Sequence, residues 1–240
     1  MKDSIIISFA SKGREDYNKG LLRLMDSVKE HWDGDYAFYS FDGNTNLHNG
    51  MDIHCCNGIM PQPKAFECKT HQEVPYQFKF GLIQIAREQG YKKVFWLDSS
   101  LVLHKNPLPL LEQGIMAFHN LGHPLWKYIS DQAVDNLSCW NYLYEIQQTW
   151  GGAIGFDFGT ERICHIFDRI VRQSLVGSFN EGGSQREGVI AHRHDQAVMS
   201  VLFHQHSINL HPYGKIVTHP HYMPPYEYGE DFYIIHKPIT

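Results

Sequence analysis

Apolar positions along this chain switch between short continuous runs and a spacing of three to four residues, and each switch marks an element. Ile5-Ile6-Ile7-Ser8-Phe9-Ala10 is a continuous apolar run that predicts a strand buried on both faces. The polar stretch from Ser11 to Asp16 leads into a predicted helix with Tyr17, Leu21, Leu24, Met25 and Val28 on one face. Asp35 to Phe41 alternates like a second strand and ends at Asp42-Gly43-Asn44, a turn signal. Residues 43 to 75 hold Pro61, Pro63 and Pro75 with little periodicity, and read as a long, partly ordered loop region. Phe78, Leu82, Ile85 and Ala86 then share a helical face that Gly90 ends.

The run from Tyr91 to Leu97 predicts a strand that meets Asp98-Ser99-Ser100 and resumes as Leu101-Val102-Leu103. Pro107 and Pro109 begin a short turn, and Gly114 to Phe118 predicts another strand. Residues 131 to 148 suggest one helix, with Ala133, Leu137, Trp140 and Tyr144 aligned. Gly151 to Asp157 reads as a glycine-led strand feeding a helix whose face is Ile163, Ile166, Phe167 and Ile170. Gly182-Gly183-Ser184 reads as a flexible loop. His194-Asp195-Gln196 opens a helix carrying Val198, Val201 and Leu202, and Phe232 to Ile235 is the last predicted strand. Strands alternating with helices predict an α/β fold, a mostly parallel sheet between helical layers. No internal repeat or low-complexity linker interrupts residues 1–240, so a single domain is expected.

Composition narrows the functions. A chain of 240 residues, 42% of them hydrophobic, can bury a sizeable core. The formal net charge of −5 argues against broad binding to nucleic acid or a membrane surface, while leaving room for a local basic pocket. No apolar run is long enough for a membrane span or a leader peptide. The five cysteines are odd in number and form no C-x-x-C pair, which favours reduced thiols and a cytoplasmic location. The 16 histidines are many, yet enrichment alone defines no metal site.

One position stands out chemically. Asp98 places a carboxylate at the end of an apolar strand, which is costly unless it is paired or bound to a cation. In open α/β sheets the carboxyl edge is also where ligands sit. The segment Trp96-Leu97-Asp98-Ser99-Ser100 resembles the Asp-x-Asp strand of nucleotide-sugar glycosyltransferases with the GT-A (Rossmann-like) fold, with Ser100 in the second acidic position. Three further segments resemble that family in the expected order, and the closest likeness is to the family-8-like sugar transferases. Trp150-Gly151-Gly152-Ala153 is similar to the small-residue strand that lets donor and acceptor approach. His194-Asp195-Gln196 resembles the Asp-Gln at the start of a late helix. Ile235-His236-Lys237-Pro238 resembles a C-terminal His and Lys-Pro, although the family spaces His and Lys further apart.

The resemblance implies a glycosyltransferase that uses a UDP- or GDP-sugar donor and a glycan or small hydroxyl acceptor. It implies a divalent cation, Mn²⁺ or Mg²⁺, held by Asp98, Ser100 and His236, with transfer on basic residues alone as the alternative. Asp98 and Asp195 would be catalytic. Asp195 would take the acceptor proton if configuration inverts, or orient the donor sugar if it is retained, and it also suits a helix N-cap. Nucleotide-sugar contacts would come from Asp98, Ser99, Ser100, Gly151, Gly152, Gln196 and Lys237. Lys79, at a predicted helix start, would meet nucleotide or phosphate. By position alone, Ala10 and Ser11 would line the base and ribose pocket, and Asp42 is a further candidate there. Two other readings compete. A sugar nucleotidyltransferase needs a glycine-rich loop after the first strand, and Ser11-Lys12-Gly13-Arg14 holds one glycine. A degenerate domain would bind nucleotide sugar or glycan without turnover. A metallohydrolase finds no His-Glu-x-x-His spacing.

Overall fold

A computed structural model describes residues 3–10, 15–40, 53–56, 59–183, 185–212, 217–218 and 233–236. Its strands are β1 (Ser4–Ala10), β2 (Asp35–Ser40), β3 (Ile53–Cys55), β4 (Lys93–Leu97), β5 (Leu101–Leu103), β6 (Ile115–Pro124), β7 (Gln147–Asp157), β8 (Val217–Thr218) and β9 (Ile234–His236). Its helices are α1 (Glu15–His31), α2 (Gln77–Glu88), α3 (Asp131–Leu137), α4 (Glu161–Leu175) and α5 (His194–Gln205). The larger sheet has the order β3-β2-β1-β4-β7-β6, and β5-β9-β8 form a smaller one. β3, β2, β1 and β4 run parallel, whereas β7 is antiparallel to both β4 and β6. The result is an α/β fold built on a mixed, open sheet flanked by helices.

The continuous apolar strands follow from burial on both faces. Along β1, Ile5, Ile7 and Phe9 pack into the cluster that holds α2, α4 and α5. Ile6 and Ala10 pack into the other cluster, against Leu21, Leu24, Met25 and Val28 of α1. β4 alternates in the same way. Val94 and Trp96 face α2, α4 and α5, while Phe95 and Leu97 face α1. The four expected apolar positions of α4 are all buried. Its start is fixed by Thr160, whose Oγ1 accepts the Ile163 N–H at 3.4 Å.

The structure changes three expectations. The helix expected over 131–148 stops at Leu137, because Ser138 turns left-handed with φ 52°. A short 3₁₀ segment, Trp140–Glu145, follows it and leaves Trp140 and Tyr144 exposed. The glycine-led strand begins at Gln147, four residues before Gly151, and its partner β6 runs on to Pro124. The final strand joins the small sheet beside β5 rather than the main one. Cys56, Cys68, Cys139 and Cys164 are free thiols. No helix among the described residues is long and apolar enough to cross a membrane.

Gly155 shows how tight the sheet centre is. It sits in register between Phe95 of β4 and Met116 of β6. A Cβ there would lie 2.8 Å from Phe95 Cδ1 and 3.1 Å from Met116 Cβ. Gly155→Ala should therefore cost about 1–3 kcal/mol through overpacking, roughly a 2–12 °C fall in Tm. A thermal melt checks this, and an unchanged Tm would show that the strands yield without cost.

Candidate active site

The chain builds β1, β2 and β3 outward in one direction and then returns to place β4 on the other side of β1. That reversal opens a crevice at the carboxyl edge, between the ends of β1 and β4. Ala10 ends β1 there and is fully buried. Asp98 follows β4 at the same edge. Its N–H donates to the Gly152 carbonyl at 2.8 Å, and its own carbonyl accepts from Leu101 N at 3.0 Å, closing a turn through Ser99 and Ser100. Ser99 is buried, and the Ser100 carbonyl accepts from Arg23 Nη2 of α1 at 3.1 Å.

Beside this turn lies a buried ion pair. Lys79 of α2 and Asp195 of α5 meet at 2.7 Å, with side-chain exposures of 3% and 1%. The same ammonium donates to the Gly151 carbonyl of β7 at 2.8 Å. It also sits 5.5 Å from the ring centres of both Tyr76 and Trp96. Burial alone would lower the Lys79 pKa, but the charges of Asp195 and Asp98 outweigh it and hold the ammonium above its usual value. Asp195 Oδ2 is taken by Lys79, while Oδ1 is buried with no hydrogen-bond partner.

Asp98 is half-buried, and the Trp96 indole N–H donates to its Oδ1 at 2.6 Å. Strand alternation puts Trp96 and Asp98, two residues apart, on the same face. Burial raises the Asp98 pKa; Lys79 and the indole N–H pull it down, Asp195 pushes it up, and the net shift is upward. The stability tied to this group is therefore complete below the ordinary 3.8 and is lost as pH rises through the raised value. An ionised Asp98 at neutral pH is a cost that a bound cation would offset.

The glycines are filled from within the protein. A Cβ on Gly151 would lie 2.6 Å from Gln196 Cγ, and one on Gly152 would clash with the Trp150 indole. Gly151, Gly152 and Gln196 are thus brought together with Lys79, Asp98 and Asp195. His236 stands in β9 with its Cα opposite Leu101, three residues beyond Asp98. Ser11, Asp42 and Lys237 lie outside the described residues.

Two site residues escaped the sequence. Tyr76 and His194 are non-glycine residues with left-handed backbone, φ 62° and 43°, and their rings lie 5.6 Å apart. Such conformations cost of order 1–3 kcal/mol each and cluster at functional sites. The Tyr76 N–H donates to His71 Nδ1 at 3.0 Å, and the rings of His71 and Tyr76 meet edge to face. No periodicity or motif announces a backbone angle, so only the histidine-rich local composition hinted at them.

Among the described residues, no three His, Cys, Asp or Glu side chains converge where a metal ion could sit. The donor set at the crevice nevertheless suits a hard cation of the kind that takes one or two protein carboxylates and completes its shell with water and substrate phosphate. No protein-family model and no curated protein matches this chain.

Breaking the buried pair by Lys79→Met or by Asp195→Leu should cost about 3–5 kcal/mol each. The double variant should cost clearly less than the sum, measured by urea denaturation; strict additivity would mean that the two charges do not act as a pair. Trp96→Phe should raise the Asp98 pKa further, because it removes the N–H that favours the carboxylate. A carbon-13 NMR titration of the metal-free protein reads this directly, and an unmoved or lowered inflection would contradict the assignment.

Proposed function

We propose that this protein is a glycosyltransferase that moves a sugar from a UDP- or GDP-sugar to a hydroxyl on a glycan or small molecule. One observation carries the reading. A half-buried carboxylate, Asp98, stands at the crevice where the strand order reverses, beside a locked Lys79–Asp195 pair. The four-segment resemblance to GT-A transferases supports the same conclusion, as does the mixed sheet with its ligand edge at β1 and β4.

The chemistry follows from charge. A leaving diphosphate is strongly anionic, and the one ammonium among the described side chains of the crevice is committed to Asp195 and Gly151. Direct neutralisation by Lys79 is therefore disfavoured. Asp98, with Ser100 and His236 as the adjoining candidates, would hold Mn²⁺ or Mg²⁺. When bound, such an ion stabilises the departing diphosphate by Lewis-acid chemistry. Lys79 acts by fixing Asp195 against β7. Asp195 Oδ1, buried and unpartnered, suits a hydroxyl of the donor sugar, since an unmet buried acceptor costs about 1–3 kcal/mol until it is satisfied. Asp195 thus orients the donor. A location in the cytoplasm accords with the reduced-thiol expectation from the sequence.

Asp98→Asn keeps an oxygen for the Trp96 N–H while removing the charge. It should reduce nucleotide release from UDP-glucose or GDP-mannose at least about 100-fold, the scale of a lost electrostatic group at a reacting centre. Tm should stay near wild type. Full activity in this variant would remove Asp98 from the site, and nucleotide binding without release in the wild type would favour a binding domain.

A further inference from the structure

Three aromatic side chains that the crevice does not use gather at the surface. Trp140 and Tyr144, in the 3₁₀ segment after α3, are 44% and 71% exposed. The Tyr144 ring lies 5.6 Å from that of the half-buried Trp126. Arg186 links the set, with its guanidinium over the Trp140 ring at 5.4 Å and its Nη2 donating to the Trp126 carbonyl. A single apolar side chain in water needs no explanation, but a contiguous group of large ones marks an interaction surface.

The rings are held in place. The Trp140 indole N–H donates to Asp135 Oδ1 at 2.6 Å. Arg186 is fixed in turn by its ion pair with Asp131, the first residue of α3. A Cβ on Gly188 would lie 2.9 Å from Trp126 Cζ3, so backbone abuts that indole. Rings ordered in advance bind without the entropic cost of freezing them. The guanidinium covers one face of Trp140, and an indole so covered keeps 44% exposure through its opposite face.

The polar groups among the rings select the partner. Lys127 Nζ lies 5.1 Å from the Trp126 ring centre, and exposed Asp135 and Glu145 stand on the two segments that carry Trp140 and Tyr144. The core of a protein interface is depleted of such charges, since it would desolvate them. An anionic lipid surface asks for basic residues without these carboxylates. A glycan suits both features. The C–H face of a pyranose ring packs on an aromatic face, and its hydroxyls donate to carboxylates and accept from ammonium and guanidinium groups. The surface is also tied to the crevice. The chain from Arg186 runs along residues 127 and 128, with Ile190 N donating to the Lys127 carbonyl at 2.8 Å and Arg193 N to the Tyr128 carbonyl at 2.9 Å, and then reaches Asp195. That path of nine residues spans at most about 30 Å, the reach of an oligosaccharide.

We propose that Trp126, Trp140 and Tyr144 form a glycan-binding surface that holds an oligosaccharide acceptor while its end is glycosylated at the crevice. The acceptor role rests on the transferase reading above; the binding does not.

Tryptophan fluorescence and saturation-transfer NMR, with maltohexaose, cellohexaose, mannohexaose and chitohexaose as probes and no donor present, test the surface. At least one hexasaccharide should bind, and Trp140→Ala should weaken it about tenfold, the scale of one lost aromatic contact. Tyr144→Ala, at the most exposed of the three rings, should weaken it similarly while leaving the indole's hydrogen bond intact. Affinity for UDP or GDP should not change in either variant. Where nucleotide is released from UDP-glucose or GDP-mannose, the KM for the hexasaccharide should rise by the same factor and the KM for the donor should not. No binding of any of the four at millimolar concentration, or binding that both substitutions leave unchanged, would overturn the proposal. So would co-sedimentation with anionic vesicles, or a dimer, that Trp140→Ala abolishes in place of glycan binding. Hexasaccharide binding lost in the variants, in a wild-type protein that neither binds UDP or GDP nor releases nucleotide, would sustain the surface and overturn the transferase reading instead.

Discussion

A lysine and an aspartate, 116 residues apart in sequence, meet at 2.7 Å in a place that water scarcely reaches. That contact ties α2 to α5, and the Gly151 carbonyl brings β7 into the same knot. Two charges taken out of water gain little net stability from each other, yet removing one of them is severe. The value of the pair is geometric. It permits one relative placement of three elements, and the crevice in front of Asp98 is bounded by all three. Two of the residues with left-handed backbone adjoin the two charges. Tyr76 accepts the Lys79 N–H at its carbonyl, and His194 precedes Asp195 directly. The pair thus anchors conformations that the chain would otherwise relax.

The electrostatics of the crevice divide labour. Lys79 is held charged, above its usual pKa, by the carboxylates it serves. Asp98 is pushed upward by burial and by Asp195, with the Trp96 indole opposing that drift. Trp96 joins the two halves, since its ring faces the Lys79 ammonium and its N–H holds Asp98. A site with a carboxylate whose ionised form the fold disfavours is suited to a cation and through it to an anionic ligand.

The sequence made the frame of this site legible. Ile5–Ala10 and Val94–Leu97 are apolar on both faces because helices cover both, and such strands show as unbroken runs. Asp98 was visible because a carboxylate ending such a run needs an explanation. The contact of Gln196 with Gly151 is not legible in the sequence, because it depends on which side chain fills the space over a glycine. The sequence resemblance implies that Lys79 meets nucleotide or phosphate, and it does not reveal the pairing with Asp195. Its partner lies 116 residues away, a separation across which single-sequence patterns carry no information. Residues 131 to 148 misled for a related reason. The spacing of Ala133, Leu137, Trp140 and Tyr144 is helical, yet the left-handed turn at Ser138 ends the helix and leaves the two aromatics outside the core.

Calorimetric titration of UDP and GDP into the purified protein, with and without Mn²⁺, tests the central claim most directly. The account predicts that one nucleotide binds, and that Mn²⁺ strengthens its binding, because the described crevice has no uncommitted ammonium to receive a diphosphate. Equal affinity with and without the metal, or no binding of either nucleotide, would contradict it.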